Sequence, residues 1–273
     1  MNPNRDAASG IDLQLFTTDP VVAVDAVQAG ITAFVVDWEW RGKESRQDGF
    51  DTEINRDSAE DLARVSKVTG SRRICRINRF GPWTPGEVNL AIEFGATQLL
   101  LPMAEKPAEV EAYLKLVRGR VRAGILVETK EACTYASELA ALGLDAVYVG
   151  LNDLAISRGT PCIFTALADG TVEQLREAFG DTPFGFGGLT VVDLGNPIPS
   201  MRLLEDMARL RSSFTFLRRS FRRDIVGRDV TAEVGRIQET WRLLLRRGQE
   251  QEARDHALLV DAVTRTAGAG STA

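Results

Sequence analysis

Short apolar runs rich in β-branched residues alternate with amphipathic stretches along nearly the whole chain. This alternation is typical of a parallel sheet whose strands are joined by helices. Eight runs are predicted strands, at residues 12–16, 32–36, 73–77, 97–102, 123–128, 145–150, 183–187 and 214–217. Eight strands fit a closed (β/α)8 TIM barrel better than a doubly wound sheet, although the last two have the weakest patterns.

The length agrees with one barrel. A chain of 273 residues could hold two average domains, but a single (β/α)8 barrel takes about 250 residues. We therefore assign residues 1–247 to the barrel, and residues 248–273 to an additional C-terminal helix with a disordered tail. That helix, expected at residues 249–265, would lie across the barrel or against a neighbouring subunit. Further helices are predicted at residues 19–29, 57–68, 130–142 and 231–246.

The composition excludes several kinds of chemistry. The single histidine, His256, lies near the C-terminus, which argues against a Ser-His-Asp triad, a His-rich zinc site and a His-paired cysteine nucleophile. The net charge of −5 argues against a general nucleic-acid partner. The three widely spaced cysteines fit a reducing compartment, and no signal peptide or membrane span is apparent. We expect a cytoplasmic protein with no membrane partner.

Polar side chains lie at or just after the ends of four predicted strands, at the barrel end where active sites lie. They are Asp37 and Glu39, Arg76 and Asn78, Glu128, and Asp153. Glu128 and Asp153 follow adjacent strands and suit Mg²⁺, which takes one or two protein carboxylates and completes its shell with water and substrate oxygens. A 2-oxo acid would supply such oxygens, and the metal would act on its enolate as a Lewis acid. Arg76 would bind the carbonyl or enolate oxygen.

Each of these side chains also has a purely structural interpretation. Asp153 opens a short predicted helix and could cap its N-terminus, while Glu128 could be an ordinary charge at a strand end. Asp37 and Glu39 are two residues apart and could form a salt bridge with Arg76. The convergence of these residues on neighbouring strand ends favours the metal site.

An arginine-rich segment, FLRRSFRRD, follows the eighth predicted strand. The loop after this strand often binds phosphate in (β/α)8 barrels. Arg218 and Arg219 are therefore candidate ligands for a substrate carboxylate, a phosphate or coenzyme A. The alternative is a solvated or subunit-interface surface, which applies best to Arg222 and Arg223.

Several segments resemble one known superfamily. LDAVYVGLNDLAISRG, at residues 144–159, resembles the Gly-x-x-Asp-Leu-x-x-Ser-x-Gly signature of the HpcH-type class II pyruvate aldolases. Residues 29–40, 95–103 and 124–132 are similar to that family's segments at strands two, four and five. The Arg-x-Asn at residues 76–78 resembles the citrate lyase β-subunit and malyl-CoA lyase branch.

The resemblance implies a Mg²⁺- or Mn²⁺-dependent carbon–carbon lyase or aldolase. Such an enzyme cleaves or forms a bond through the enolate of a 2-oxo acid or an acyl-CoA, so a coenzyme A thioester is a further candidate substrate. Glu128 and Asp153 would hold the metal, and Arg76 would steady the enolate. The resemblance also implies a homo-oligomer, a trimer or a hexamer.

The matching motifs supply further candidate residues. Asp37 and Glu39 match an acidic pair that surrounds metal-bound water, and are candidate catalytic residues. Asn78, Pro102 and Gly150 are candidate substrate-binding residues, like Arg76 itself.

One departure concerns the acid–base group. HpcH-type aldolases place a histidine directly after the strand-two glutamate, where this sequence has Trp40. The citrate lyase branch has a lysine and an arginine soon after its strand-two acids, which Lys43 and Arg46 match loosely. Proton transfer would then fall to a water, a carboxylate or the substrate. The alternative is a catalytically altered barrel that binds a 2-oxo acid or serves as an assembly subunit, and a Schiff-base aldolase using Lys130 is a weaker one.

Overall fold

A closed barrel of eight parallel strands forms the centre of the protein, with the strands adjacent in chain order. The computed structural model describes residues 10–42 and 57–270. The strands are β1 (Asp12–Phe16), β2 (Ala33–Asp37), β3 (Arg72–Arg76), β4 (Gln98–Leu101), β5 (Arg122–Val127), β6 (Ala146–Val149), β7 (Phe184–Phe186) and β8 (Phe214–Leu217). The predicted (β/α)8 TIM barrel with an additional C-terminal helix is confirmed, including its last two strands.

Helices join the strands and surround the barrel. They are α1 (Pro20–Gln28), α2 (Ala59–Ser66), α3 (Thr84–Glu93), α4 (Pro107–Val117), α5 (Lys130–Thr134), α6 (Ala136–Ala140), α7 (Leu151–Arg158), α8 (Thr165–Ala168), α9 (Thr171–Phe179), α10 (Ser200–Arg209), α11 (Arg219–Asp224), α12 (Val230–Leu244) and α13 (Gln249–Gly270). Local signals set some ends, as where Ser58 and Asp61 form a capping box at α2. The single helix predicted at residues 130–142 is two short helices, because Tyr135 leaves helical geometry with φ −97° and ψ 19°.

Side chains along each strand alternate between the barrel interior and the surrounding helices. One buried cluster fills the interior: Ala33, Val35, Ile74, Leu100, Leu126, Ala146, Tyr148, Phe214 and Phe216. Residues two apart on a strand share a face, so Asp37, Arg76 and Glu128 follow Val35, Ile74 and Leu126 toward the interior. The β2–β3 register also places Asp37 opposite Arg76. The fold therefore gathers charged side chains at the C-terminal mouth.

Helix α13 packs against α8 and α10 of the same chain. Leu259 and Val263 are buried on its contact face. The helix continues to Gly270, beyond its predicted end, and Ala267 packs against the core. Residues 268–270, expected in a disordered tail, are therefore helical, and residues 271–273 lie outside the described part. No described helix is long and apolar enough to cross a membrane.

Candidate active site

A cavity of about 320 Å³ opens at the C-terminal mouth of the barrel. Six predicted site residues line it: Arg76, Glu128, Gly150, Asp153, Arg218 and Arg219. The fold thus brings side chains from β3 and from the segments after β5, β6 and β8 to one space. Its volume suits a small molecule.

Two carboxylates at the C-terminal end of β2 hold Arg76 at this cavity. Its Nε and Nη2 donate to the two carboxylate oxygens of Asp37 at 2.8 and 2.6 Å, and its Nη1 lies 3.4 Å from Glu39 Oε2. Burial alone would lower the pKa of the Arg76 guanidinium, but the charges of Asp37 and Glu39 raise it well above its ordinary value. The salt bridge considered as a structural alternative is therefore present, and it fixes the direction of the guanidinium.

Glu128 follows β5 and is only 3% exposed. Its Oε2 accepts a hydrogen bond from the backbone N–H of Met103 at 3.0 Å. Met103 has a φ of 51°, which is uncommon for a residue other than glycine. Burial, and then the charges of Asp153 and Glu39, raise the pKa of Glu128 to about 8. The negative charge at this position therefore needs a proton or a cation close by.

Gly150 makes room for the Glu128 carboxylate at the start of α7. A Cβ on Gly150 would lie 2.4 Å from Glu128 Oε1, although its φ of −84° suits any residue. Glycine is therefore required here for space and not for backbone conformation. Gly150 itself occupies the N-cap position of α7, so the interpretation of Asp153 as the cap is wrong. Asp153 lies in the first turn, is 8% exposed and faces the cavity.

The donor chemistry of Glu128 and Asp153 fits Mg²⁺ or Mn²⁺. Both supply carboxylate oxygens, which these hard cations prefer, and the missing Cβ at Gly150 keeps the space beside Glu128 open. Within residues 10–42 and 57–270, no three His, Cys, Asp or Glu side chains are grouped to hold a metal ion. A divalent cation would therefore take its remaining ligands from water and substrate, as Mg²⁺ usually does.

Three aromatic side chains in the cavity wall were not predicted from the sequence: Tyr148, Phe164 and Phe216. Tyr148 and Phe216 stack with ring centroids 4.0 Å apart, and the Tyr148 hydroxyl donates to the carbonyl of Gly187. Burial raises the pKa of Tyr148 above its ordinary value, so this hydroxyl stays protonated. Strand alternation could have revealed two of the three. Tyr148 shares a strand face with Ala146, and Phe216 shares one with Phe214.

The arginine segment after β8 meets the same cavity. Arg218 donates from Nε to the carbonyl of Gly188 at 2.8 Å, and its guanidinium carbon lies 5.3 Å from the Phe164 ring centroid. Burial lowers the pKa of Arg218. Arg219 is exposed and begins α11. A second cavity of about 400 Å³ adjoins, also lined by Arg222 and Arg223.

Asn78 supports the loop after β2. Its Oδ1 accepts the backbone N–H groups of Trp40 and Arg41 at 3.0 and 2.8 Å, and its Nδ2 donates to Glu87 at 2.8 Å. Neither Asn78 nor Pro102, which is buried directly after β4, is among the residues that line the 320 Å³ cavity. Their substrate-binding roles stay predictions.

Trp40 occupies the position where the resembled aldolases have histidine. It is 45% exposed and stacks on Arg41, whose guanidinium carbon lies 4.4 Å from the Trp40 ring centroid. Trp40 is not among the residues that line the 320 Å³ cavity. Lys43 and Arg46, the loose matches to the citrate lyase branch, lie outside the described residues.

Solved structures share this fold. An HpcH/HpaI aldolase/citrate lyase family protein from Burkholderia cenocepacia J2315 superposes with a TM-score of 0.60 at 14% identity, over 88% of this chain and 96% of that one. Citrate synthase SbnG superposes with a TM-score of 0.57 at 16% identity, over 77% and 86% of the two chains. A 3-hexulose-6-phosphate synthase from Salmonella typhimurium gives 0.59 at 12% identity, over 85% and 98%.

These neighbours include a protein of the family whose motifs the sequence resembles. Identities this low establish the fold and leave the chemistry to be argued from the site. No protein-family model matches the sequence, and no curated protein matches it either.

Proposed function

We propose that this protein is a Mg²⁺- or Mn²⁺-dependent carbon–carbon lyase or aldolase of the HpcH aldolase/citrate lyase superfamily, acting on a 2-oxo acid or an acyl-CoA. The observation that carries the proposal is the pair of buried carboxylates, Glu128 and Asp153, in the same cavity wall as the fixed guanidinium of Arg76. The aldolase and citrate synthase among the structural neighbours support this chemistry for the fold.

Glu128 and Asp153 would hold the cation. When bound, it would supply Lewis-acid stabilisation of the negative charge that develops on the substrate oxo oxygen. Met103 orients Glu128 through its backbone N–H, and Gly150 leaves space for the carboxylate. The chain therefore positions one of its two oxygen ligands before any cation arrives.

Arg76 would bind the oxo or enolate oxygen of the substrate. Its guanidinium is already oriented by Asp37, so little side-chain freedom is lost when substrate binds. Because its pKa lies well above its ordinary value, it remains a cation throughout the working pH range. A fixed positive charge beside a developing enolate is the arrangement that lowers the barrier to its formation.

Proton transfer has no histidine available at this site. The only histidine, His256, lies on α13 and contacts Asp206 of α10, with Nδ1 and Oδ1 2.9 Å apart. Tyr148 is a poor base because its hydroxyl stays protonated. We assign proton transfer to a carboxylate, a water or the substrate itself, with Asp37 and Glu39 as the acidic pair beside Arg76.

We further propose that the protein is cytoplasmic and works as a homotrimer or homohexamer. The three cysteines are free thiols, and Cys75 and Cys162 are buried, which suits a reducing compartment. Light scattering after size-exclusion chromatography measures the assembly directly, and a monomeric mass would contradict it.

The test of the metal site is Mg²⁺ and Mn²⁺ binding measured by calorimetry on protein stripped with EDTA. We expect Glu128→Gln and Asp153→Asn each to weaken binding by about a hundredfold or more, because each removes one of two charged ligands. Glu131→Gln is the matched control, since Glu131 is a nearby acid whose side chain is 43% exposed and does not line the cavity. Equal binding by all four proteins would contradict the proposal.

A second variant tests the space beside Glu128. Gly150→Ala would put its methyl group against the Glu128 carboxylate, so we expect metal affinity to fall by about tenfold or more as the ligand is displaced. Gly86→Ala is the control, because a Cβ there meets nothing within 4 Å. Removal and re-addition of Mg²⁺ should switch turnover of a 2-oxo acid off and on. Metal-dependent binding of a 2-oxo acid without turnover would favour the catalytically altered barrel.

A further inference from the structure

Arg218 carries a positive charge that the described residues leave without a counter-ion. No carboxylate in residues 10–42 and 57–270 forms an ion pair with it within 4.0 Å. Its Nη2 is buried and has no hydrogen-bond partner, while its Nε donates to the neutral carbonyl of Gly188. A partly buried charge without a counter-ion is costly, so this arrangement suggests a function.

The nearest acidic candidate is already engaged elsewhere. Asp224 acts on Arg218 only through space. Its Oδ2 accepts the hydroxyl of Thr190 at 2.6 Å, and its Oδ1 accepts from Arg223 at 3.1 Å. The fold therefore provides a carboxylate for the exposed Arg223 and none for Arg218, which lines the cavity.

The protein holds Arg218 in place despite its missing partner. Its backbone N–H donates to the carbonyl of Leu189 at 2.7 Å, and its guanidinium lies over the ring of Phe164. Gly188 is required for this position, because a Cβ there would lie 2.9 Å from Arg218 Cγ. A preorganised cation loses little freedom when an anion binds.

The cavity wall carries charges of both signs. Glu128 and Asp153 supply negative charge, and the Arg76 guanidinium is paired with Asp37. Arg218 adds a positive charge that has no ion-pair partner among the described residues. A 2-oxo acid whose head group lies at the carboxylates and Arg76 would still leave Arg218 uncompensated.

We propose that the substrate carries a second anionic group, a carboxylate or a phosphate, which Arg218 binds in the same cavity. This proposal rests on the proposed function, because it places the 2-oxo acid head group at Glu128 and Asp153. The guanidinium charge is delocalised over all three nitrogens, so an anion on the cavity side compensates it even though Nη2 itself is buried. The cavity volume of about 320 Å³ limits the ligand to a small molecule.

The test compares 2-oxo acids that share a head group and differ in the second charge. Pyruvate has none, oxaloacetate adds a carboxylate, and 3-phosphonopyruvate adds a phosphonate. Binding of each to the Mg²⁺-loaded protein is measured by calorimetry. We expect both ligands with a second anionic group to bind about ten- to a hundredfold more tightly than pyruvate, the range of one charge-assisted hydrogen-bonded contact. The tighter of the two identifies the second group as carboxylate or phosphate.

Variants of Arg218 separate this contact from the rest of the site. Arg218→Gln should bring the affinities for oxaloacetate and 3-phosphonopyruvate down close to the affinity for pyruvate, while Arg218→Lys should keep part of the difference. Arg223→Gln removes the same charge from an 80% exposed position nearby and should leave all three affinities unchanged. Circular dichroism and a thermal melt establish that each variant is folded.

The outcomes distinguish the two proposals. Equal affinities for the three ligands in the wild type, or an advantage that survives in Arg218→Gln, overturns the role of Arg218 and leaves the metal-dependent function intact. If pyruvate binds wild type and Glu128→Gln equally well, the proposed function fails, and the role of Arg218 fails with it.

Discussion

Two of the arginines that line the mouth cavity, Arg76 and Arg218, have different kinds of partner. Arg76 on β3 donates to both oxygens of the buried Asp37 and lies close to Glu39. Among the residues that the structure describes, the Arg218 guanidinium after β8 contacts a backbone carbonyl and the face of an aromatic ring, and no carboxylate forms an ion pair with it. The protein pairs the Arg76 charge with its own carboxylates and leaves the Arg218 charge to a ligand. An arginine at a strand end thus has a role set by its counter-ions and not by its position alone.

The largest expected effect is the loss of stability when Arg76, the paired arginine, is replaced. Arg76→Met removes the guanidinium that pairs with the Asp37 carboxylate, which is 0% exposed. We expect the free energy of unfolding in urea to fall by about 3–5 kcal/mol, the range for one broken member of a buried pair. The double variant Arg76→Met/Asp37→Asn should recover part of this loss, because the Asp37 charge is removed together with the guanidinium, while the buried Glu39 carboxylate still loses its contact with Arg76. A loss below about 1 kcal/mol would show that the pair does not hold the barrel.

A smaller effect concerns the carboxylate part of the cavity and its dependence on pH. The pKa of Glu128 is raised in the folded metal-free protein to about 8, above its ordinary value, so the folded state binds the extra proton. This protonation stabilises the folded state. The stabilisation is complete below the pKa that Glu128 has in the unfolded chain, and it is lost as pH rises through the pKa that Glu128 has in the folded protein. In EDTA we therefore expect the melting temperature to fall between about pH 6 and about pH 9, and added Mg²⁺ to protect most strongly at the alkaline end.

Variants assign that pH dependence to its source. Glu128→Gln should flatten this part of the profile, because the glutamine side chain does not titrate. Arg218→Met should leave the slope close to that of the wild type, since burial and the charges of Asp153 and Glu39 set the shift. A profile that Glu128→Gln leaves unchanged would assign the titration to other groups.

The sequence predicts the barrel well because its signal is repetitive. Apolar runs such as AFVVD in β2 are buried throughout, and the same rhythm of strand and helix recurs around the whole structure. The break of the helix at Tyr135 was missed because no Gly or Pro in residues 130–142 marks it. The extension of α13 was missed for a similar reason, since Ala267 packs on a surface that only the folded chain provides.

The site shows a sharper division. The positions of Arg76, Glu128 and Asp153 at predicted strand ends indicated that they lie together. The structure brings all three to one cavity. What the sequence left open was the pairing of charges. The sequence did not distinguish Arg218 from Arg219. It also could not show that Asp37 forms an ion pair with Arg76, or that Asp224 accepts a hydrogen bond from Thr190. Such pairings depend on distances across the barrel mouth, which no spacing along the chain encodes.

The smallest expected effect is the change in stability when Arg218 is replaced, and it tests most strictly whether Arg76 and Arg218 differ in their partners. Arg218→Met replaces a partly buried, uncompensated charge with an apolar side chain of similar length, which relieves a desolvation cost. The same change deprives the Gly188 carbonyl of one hydrogen bond, which costs about 1 kcal/mol. The two terms oppose each other, so we expect the free energy of unfolding to change by less than about 1 kcal/mol in urea without ligand. A loss of about 3 kcal/mol or more, as expected for Arg76→Met, would show that Arg218 is balanced within the protein and is not kept for a ligand.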